Sequence, residues 1–229
     1  MKVREKIMLD MDGLQKHGAI NIVILGDSVS HGAFNDYFDY ENVYWNLLKK
    51  RLNKYRDYMP VNMINASIAG TTAKASLERL DKQVLSHLPD LVIVCFGLND
   101  VNGELDEYLD SLKVIFERCT ESGSEVIFLT PNMLNTYVPD DTPKKHIEYA
   151  YKTAEMQISG RMDKYIYSAI DLARYMRIPV CDCYSKWREL ADSGKDTTMM
   201  LANRINHPDE YGHLLFAEEL YKMIIGEDI

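Results

Sequence analysis

Short apolar runs alternate along the chain with longer segments in which apolar residues recur at helical spacing. The apolar runs occupy residues 19–25, 59–67, 91–96, 125–130 and 178–183. The segments with helical spacing occupy residues 43–55, 72–85, 104–123, 144–176 and 209–225, and the fourth is predicted to break near Ser159-Gly160. Five short apolar strands that alternate with helices predict an α/β fold, in which helices cover both faces of a parallel sheet.

The length of 229 residues fits one domain, because single domains commonly run to about 200–250 residues. We therefore predict a single domain over residues 1–229, with residues 1–18 as an N-terminal helical extension packed on it. The apolar positions that this extension is expected to pack against the domain are Ile7, Met8, Met11 and Leu14.

The formal net charge of −9 argues against a sequence-nonspecific nucleic-acid binder or a protein that binds anionic membranes, since both usually carry basic patches. No apolar run reaches the roughly 18 residues that a transmembrane helix needs. Acidic residues and a glycine interrupt the first 18 residues, which therefore lack the pattern of a secretory signal peptide. These features predict a cytoplasmic protein that binds neither nucleic acid nor membranes.

The cysteines agree with a cytoplasmic location, because a disulfide framework is typical of much smaller secreted chains. The four of them are Cys95, Cys119, Cys181 and Cys183, and we predict that all are buried free thiols. No HExxH motif and no carboxylate cluster is present, so neither a metal nor another cofactor is predicted.

Ligands of a parallel sheet bind at the carboxyl ends of its strands, near the point where the strand order reverses. Ser28 lies at the end of the first predicted strand, within GDSVSHG at 26–32. A serine here presents its hydroxyl at the sheet edge and its N–H at a helix start, which suits a nucleophile with its own oxyanion donor. The alternative is an ordinary N-capping residue.

Three further candidates follow the same logic. Gly70, after the second strand, would let its N–H approach a ligand closely, unless it is a plain turn glycine. Asn99, after the third strand, offers a neutral amide donor, unless it forms an Asx turn, and the neighbouring Asp100 is expected to hold the loop. His207 precedes the last helix, whose positive end favours the neutral imidazole of a general base, unless it is a surface cap.

In this order and spacing, the motifs resemble those of the SGNH (GDSL-type) hydrolases: GDS at 26–28, NxSxxG ending at Gly70, GLND at 97–100 and HPxxxGH at 207–213. The resemblance implies a flavodoxin-like three-layer α/β/α sandwich with a five-stranded parallel sheet. It further implies Ser28 as nucleophile and His207 as base, with an oxyanion hole made by the Ser28 N–H, the Gly70 N–H and the Asn99 side chain.

One position departs from the family pattern. The family usually has an aspartate three residues before the histidine to orient the ring, and here that residue is Arg204, which cannot accept a hydrogen bond. Candidate acceptors for the imidazole are the side chains of Asn203 and Asn206, or a backbone carbonyl of the same loop. The site is therefore expected to be a Ser-His dyad or a triad with an atypical acceptor.

The resulting hypothesis is a serine esterase that removes a short acyl group, with acetyl favoured, from a small-molecule ester such as an O-acetylated carbohydrate. The alternatives are an acyltransferase that uses the same Ser-His pair, and a catalytically weakened ligand-binding module. His31 either lines the pocket or contacts substrate, unless it is a solvated loop residue. The loop 131–143 and the segment 184–206 are expected to shape the pocket. The tyrosines that could stack on sugars, unless they are ordinary packing residues, are Tyr37, Tyr40, Tyr44 and Tyr137. The sequence leaves the oligomeric state open.

Overall fold

A computed structural model describes residues 2–226 as a five-stranded sheet flanked by helices. The strands are β1 (Ile20–Gly26), β2 (Val61–Asn65), β3 (Leu91–Cys95), β4 (Glu125–Leu129) and β5 (Val180–Cys181). They lie in the order β2-β1-β3-β4-β5, and every pair is parallel. The central strands β1 and β3 are almost continuously apolar and buried, as strands covered on both faces must be.

Eleven α-helices cover the sheet within the described residues. They are α1 (Val3–Ile7), α2 (Met11–His17), α3 (Ser28–His31), α4 (Tyr44–Leu52), α5 (Ala73–Ser76), α6 (Leu80–Gln83), α7 (Leu105–Glu121), α8 (Ile147–Ile158), α9 (Arg161–Tyr175), α10 (Cys183–Asp192) and α11 (Glu210–Ile225). One group, α4 and α11, packs together on one face, and a second group, α7 and α9, packs together on the other. This strand order is the flavodoxin-like one, and the predicted three-layer α/β/α sandwich is confirmed.

The sheet order places its switch point between β1 and β3, because the chain leaves β1 for one edge strand and returns to the other side. The segments that follow β1, β2 and β3 therefore meet at one edge of the sheet. These segments carry Ser28, Gly70 and Asn99.

Two predicted elements differ from the structure. The fifth strand is only two residues long, because Asp182 ends it by accepting the Ser185 N–H at 3.0 Å as the N-cap of α10. The segment 72–85 forms short helical pieces instead of one helix, and the Ser76 hydroxyl donates to the Ala73 carbonyl at 2.7 Å. Such side-chain bonds to the preceding turn compete with the helical pattern.

The N-terminal extension consists of two short helices, where the sequence predicted one. Asp10 starts the second helix by accepting the backbone N–H three residues further on at 2.8 Å, which separates the two apolar faces. Ile7 and Leu14 are buried as predicted, whereas Met8 and Met11 are more than half exposed, at 61% and 51%. The break rotates the two methionines away from the domain.

An ion pair fastens the extension to the amino edge of the sheet, opposite the edge that carries Ser28. Lys6 Nζ lies 2.8 Å from an Asp90 carboxylate oxygen, and both side chains are largely buried. Asp90 also accepts the Asn21 N–H at 2.7 Å. The carboxylate of Asp90, the residue that precedes β3, thus joins α1 to the start of β1.

The four cysteines are free and buried, as predicted. Among residues 2–226, no helix is both long enough and apolar enough to cross a membrane.

Candidate active site

Ser28 stands at a tight turn from β1 into α3. Asp27 caps the helix by accepting the Val29 N–H at 3.0 Å, so Ser28 is the first residue of α3. A side chain on Gly26 would collide with Ser30 and with the Cys95 carbonyl, 2.7 Å from its Cβ, and only glycine fits there. The turn therefore holds Ser28 at the carboxyl edge of β1, where it is 7% exposed.

His207 contacts Ser28 directly. Its Nε2 lies 2.9 Å from Ser28 Oγ, and its Nδ1 lies 2.8 Å from the backbone carbonyl oxygen of Phe34. A carbonyl can only accept, so the proton sits on Nδ1 and Nε2 is free to accept from the serine hydroxyl. Burial lowers the pKa of His207, and the bond to Phe34 opposes that effect only in part. The imidazole is therefore neutral at physiological pH.

The acceptor of the His207 ring is Phe34, and the prediction of Asn203 for this role is wrong. Asn203 Oδ1 accepts the backbone N–H groups of Ile205, Asn206 and His207, each at 3.0 Å. Its Nδ2 donates to Asn206 Oδ1 at 2.9 Å. Both amides are thus occupied in shaping the loop. Asn203 holds the main chain of His207 in place, while the ring is held by a segment 173 residues away in sequence.

Arg204 points away from the imidazole. Its backbone is left-handed, with φ of 63°, and its guanidinium lies 3.0 Å from the Asp141 carboxylate. It also donates to the Met199 and Leu201 carbonyls at 3.1 and 2.9 Å. Arg204 thus ties the loop 131–143 to the segment that leads to His207. The segment 184–206 begins as a helix, since α10 extends to Asp192.

The loop that carries Gly70 lies against the end of β1 and against Asn99. The Ile68 N–H donates to the Gly26 carbonyl at 3.2 Å, and Asn99 Nδ2 donates to the Thr71 carbonyl at 3.0 Å. Gly70 is exposed, with φ of 76°, and its N–H makes no hydrogen bond within residues 2–226. Two hydrogen-bond donors, the unpaired Gly70 N–H and the Asn99 side-chain amide, therefore lie beside the carboxyl end of β1, which Ser28 follows.

Two buried carboxyl groups support these turns. Asp100 accepts the Ala73 N–H at 2.8 Å and the Gly97 N–H at 3.0 Å, which is the loop-holding contact predicted for it. Burial raises the pKa of Asp100 to about 6. Burial, with a smaller contribution from the charge of Asp100, raises the pKa of Asp27 to about 7. The Asp27 Oδ2 atom is buried and has no hydrogen-bond partner among the described residues.

The tyrosines divide into two groups. Tyr37 and Tyr40 are about half exposed, whereas Tyr44 is fully buried and its hydroxyl lies 2.8 Å from Ser30 Oγ. Of the two alternatives for Tyr44, the structure shows the packing residue, which cannot stack on a sugar. Tyr137 is 43% exposed, but its hydroxyl donates to Asp196 at 2.7 Å.

Sequence reasoning did not find the supporting role of His213, and for His31 it did not give the contact that the structure shows. His213 is buried, its Nδ1 accepts the Tyr44 N–H at 3.3 Å, and its ring packs on Phe34 with centroids 4.6 Å apart. Burial lowers the pKa of His213 to about 3, so it stays neutral. His31 is a positioned residue, because its Nδ1 accepts the Ala69 N–H at 3.1 Å. The sequence signals for these two roles were His31 within GDSVSHG and His213 at the end of HPxxxGH.

Within residues 2–226, no group of three or more His, Cys, Asp and Glu side chains is arranged to hold a metal ion.

Comparison with known proteins identifies the family and the fold to which the chain is similar. Residues 24–215 match the GDSL-like lipase/acylhydrolase family. The chain is 26% identical over 203 residues to an uncharacterized lipoprotein, YqeF, of Bacillus subtilis strain 168, which covers 81% of this chain and 79% of the relative. It is 30% identical over 142 residues to an arylesterase of Vibrio mimicus, which covers 59% of this chain and 66% of the relative.

Among solved structures, the chain resembles the acetylxylan esterase Axe2 of Geobacillus stearothermophilus. The TM-score is 0.70 at 18% identity, and the match covers 90% of this chain and 94% of that protein. The fold and the family match together define a carboxylic ester hydrolase of the GDSL type. The chain belongs to the GDSL-like lipase/acylhydrolase family.

Proposed function

We propose that this protein is a serine esterase in which Ser28 and His207 remove a short acyl group, acetyl in the first place, from an ester. The observation that carries the proposal is the 2.9 Å distance between Ser28 Oγ and His207 Nε2. That distance is within the range in which a base takes the proton of a nucleophile.

The proposed reaction runs in two halves. His207 Nε2 takes the hydroxyl proton while Ser28 Oγ forms a bond to the ester carbonyl carbon, and the carbonyl oxygen becomes an oxyanion. When the tetrahedral intermediate collapses, the bond to the alcohol oxygen breaks and His207 returns the proton to that oxygen. Water, activated by the same imidazole, then attacks the acyl-enzyme, releases the acid and regenerates Ser28.

The oxyanion would lie among the N–H of Ser28, the N–H of Gly70 and the Asn99 amide. Two observations support this assignment. The Gly70 N–H has no competing partner within residues 2–226, and Asn99 Nδ2 uses one of its two hydrogens on Thr71. Donors that are already in place cost no reorganisation when the negative charge develops.

The Nδ1 acceptor supports catalysis over the binding-module alternative. A weakened module would be expected to have a misaligned or unsupported histidine, whereas His207 Nδ1 lies 2.8 Å from the Phe34 carbonyl. An acyltransferase would use the same pair of residues and would differ in excluding water.

For the alcohol part of the substrate we propose an O-acetylated carbohydrate. The solved relative Axe2 is described as an acetylxylan esterase, and its catalytic mutants replace a serine, a histidine and an aspartate three positions before that histidine. In this chain, Tyr37, Phe38 and Tyr40 are each about half exposed on the segment that also supplies the Phe34 carbonyl. Exposed aromatic rings offer the flat apolar faces that sugar rings pack against.

The four free thiols favour a reducing compartment and hence the cytoplasm.

The test is hydrolysis of p-nitrophenyl acetate and p-nitrophenyl butyrate by the wild type, Ser28→Ala and His207→Ala. Ser86→Ala and His87→Ala are matched controls, because these two residues are exposed on the surface. We expect both site variants to lose at least about 10³-fold in kcat and both controls to keep the wild-type rate.

A wild type no faster than Ser28→Ala would refute the proposal. Acetate release from acetylated xylo-oligosaccharides, compared with p-nitrophenyl acetate, then tests the carbohydrate assignment. A kcat/KM no higher on the oligosaccharide would argue against it.

A further inference from the structure

The helix that begins with Ser28 ends with a residue that holds the loop carrying Gly70. His31 is the last residue of α3, and its Nδ1 accepts the Ala69 backbone N–H at 3.1 Å. Ala69 directly precedes Gly70, so the bond joins the nucleophile helix to the residue next to the proposed oxyanion donor. The other anchors of this loop reach β1 and Asn99, through Ile68 and Thr71.

This bond exists only when the imidazole is neutral. An N–H that donates to Nδ1 requires a bare lone pair on that nitrogen, so the ring proton must sit on Nε2. Protonation of Nδ1, in addition to Nε2, would place the Nδ1–H of His31 directly opposite the Ala69 N–H, and the hydrogen bond would be lost. The ring is held in place by Phe38, at a centroid distance of 4.7 Å, and by Tyr40 at 6.2 Å.

The surroundings of His31 favour the neutral form. Burial lowers the pKa of His31, and the positive charge of Arg79 lowers it further. Arg79 lies on the turn at 77–79 and donates to the Ala66 carbonyl, on the same connection after β2. Tyr40 is a further titratable group that packs against the ring.

The loop needs such an anchor because Gly70 is its freest position. Gly70 is exposed and its φ is 76°. Apart from Gly70 itself and its two chain neighbours, no residue of 2–226 has a heavy atom within 4 Å of where its Cβ would be. Glycine populates several backbone regions at little cost, so the Ala69–Gly70 peptide can rotate once Ala69 is released. That rotation would turn the Gly70 N–H away from the substrate.

We propose that His31 is a positioning residue, whose neutral imidazole fixes the Ala69–Gly70 peptide and so orients the Gly70 N–H toward the oxyanion. The proposal rests on the proposed esterase function, and it adds a second histidine that must be unprotonated for full activity.

Two substitutions of nearly equal shape separate the hydrogen bond from packing. His31→Asn places an amide oxygen where Nδ1 lies and cannot titrate in this range, whereas His31→Leu has the same branching without an acceptor. With p-nitrophenyl acetate at pH 8, we expect kcat of His31→Leu to fall about 10- to 100-fold, because misplacement by about 1 Å can cost 10²-fold. KM should change by less than about twofold, since the oxyanion donor acts in the transition state. His31→Asn should recover most of the lost kcat.

The pH profile provides a readout that packing alone would not move. In the wild type, both His207 and His31 must lose a proton, so log(kcat/KM) should fall by more than one unit per pH unit on the acid side. In His31→Asn only His207 remains, and the slope should return to about one. Asp27 titrates in both proteins, so its contribution cancels in the comparison.

The inference is overturned if His31→Leu keeps the wild-type kcat, or if wild type and His31→Asn show the same acid slope. Should His31→Leu fail to fold, the slope comparison decides alone. Ser28→Ala, measured in parallel, separates a failure of the esterase proposal from a failure of the role proposed for His31. A wild type no faster than Ser28→Ala refutes the esterase proposal and this inference with it, whereas an active wild type with indifferent His31 variants refutes only the role of His31.

Discussion

Asp27, beside the proposed nucleophile, offers a test of the electrostatics of the site through protein stability. Its carboxyl group is fully buried, one oxygen accepts the Val29 N–H, and the other has no hydrogen-bond partner within residues 2–226. Asp27→Asn keeps an oxygen for Val29 and removes the ionisation. We therefore expect Asp27→Asn to be more stable than the wild type at alkaline pH.

The magnitude follows from the raised pKa. The pKa of Asp27 is about 7 in the folded protein, against the ordinary value of 3.8 for an aspartate in the unfolded chain. A carboxyl group with a raised folded pKa contributes stability that is fully present below the unfolded pKa and is lost as the pH rises through the folded one. At about 1.36 kcal/mol per pKa unit, the loss reaches about 4 kcal/mol at pH 8 and only about 1 kcal/mol at pH 4.5.

Urea denaturation followed by tryptophan fluorescence measures the difference. The free energy of unfolding of Asp27→Asn should exceed that of the wild type by about 4 kcal/mol at pH 8, and the gap should narrow to about 1 kcal/mol at pH 4.5. Asp57→Asn is the control, because this exposed aspartate loses the same charge at the surface. A gap that does not change with pH, or a variant less stable than the wild type at pH 8, would show that burial does not raise the pKa of Asp27.

Three further substitutions test other parts of the structure. Gly70→Ala should cost about 1 kcal/mol in thermal denaturation, because its φ of 76° is left-handed, and should lower kcat in ester hydrolysis more than it changes KM. Arg204→Asp should not raise kcat on p-nitrophenyl acetate, since His207 already has the Phe34 carbonyl as acceptor, and a tenfold gain would contradict that assignment. Lys6→Met should lower the free energy of unfolding by about 3 kcal/mol, measured in urea, because it leaves the Asp90 carboxylate largely buried without its cation.

The sheet could be predicted from the sequence because burial on both faces leaves a continuous apolar run. β1 and β3 are examples, and the break of the long helical segment at Gly160 was also foreseen, where φ is 77°. Helices and strands whose ends depend on side-chain capping were harder to predict. Asp182 shortens β5, and Asp10 splits the N-terminal extension, and neither effect follows from hydrophobic periodicity.

The proximity of Ser28 and His207 could be predicted because Ser28 follows a central strand directly and His207 precedes the last helix. Ser28 and His207 are far apart in sequence, yet the sheet order brings their side chains to 2.9 Å. The acceptor of the imidazole could not be predicted, because every residue carries a backbone carbonyl and only tertiary structure selects one. Asn203 was the nearest plausible side chain, but its oxygen is already taken by three backbone N–H groups.

In this chain, where Arg204 stands in place of the family's aspartate, the Phe34 carbonyl accepts the Nδ1 proton of His207 instead. When an amide replaces the carboxylate of a serine protease triad, the loss of about 10⁴ in kcat arises because the amide can stabilise the wrong tautomer of the histidine. A backbone carbonyl has no hydrogen to donate, so it enforces the same tautomer as a carboxylate. What is missing is the negative charge that would stabilise the imidazolium. The side chain of residue 34 then matters only through packing, which His213 provides against the Phe34 ring.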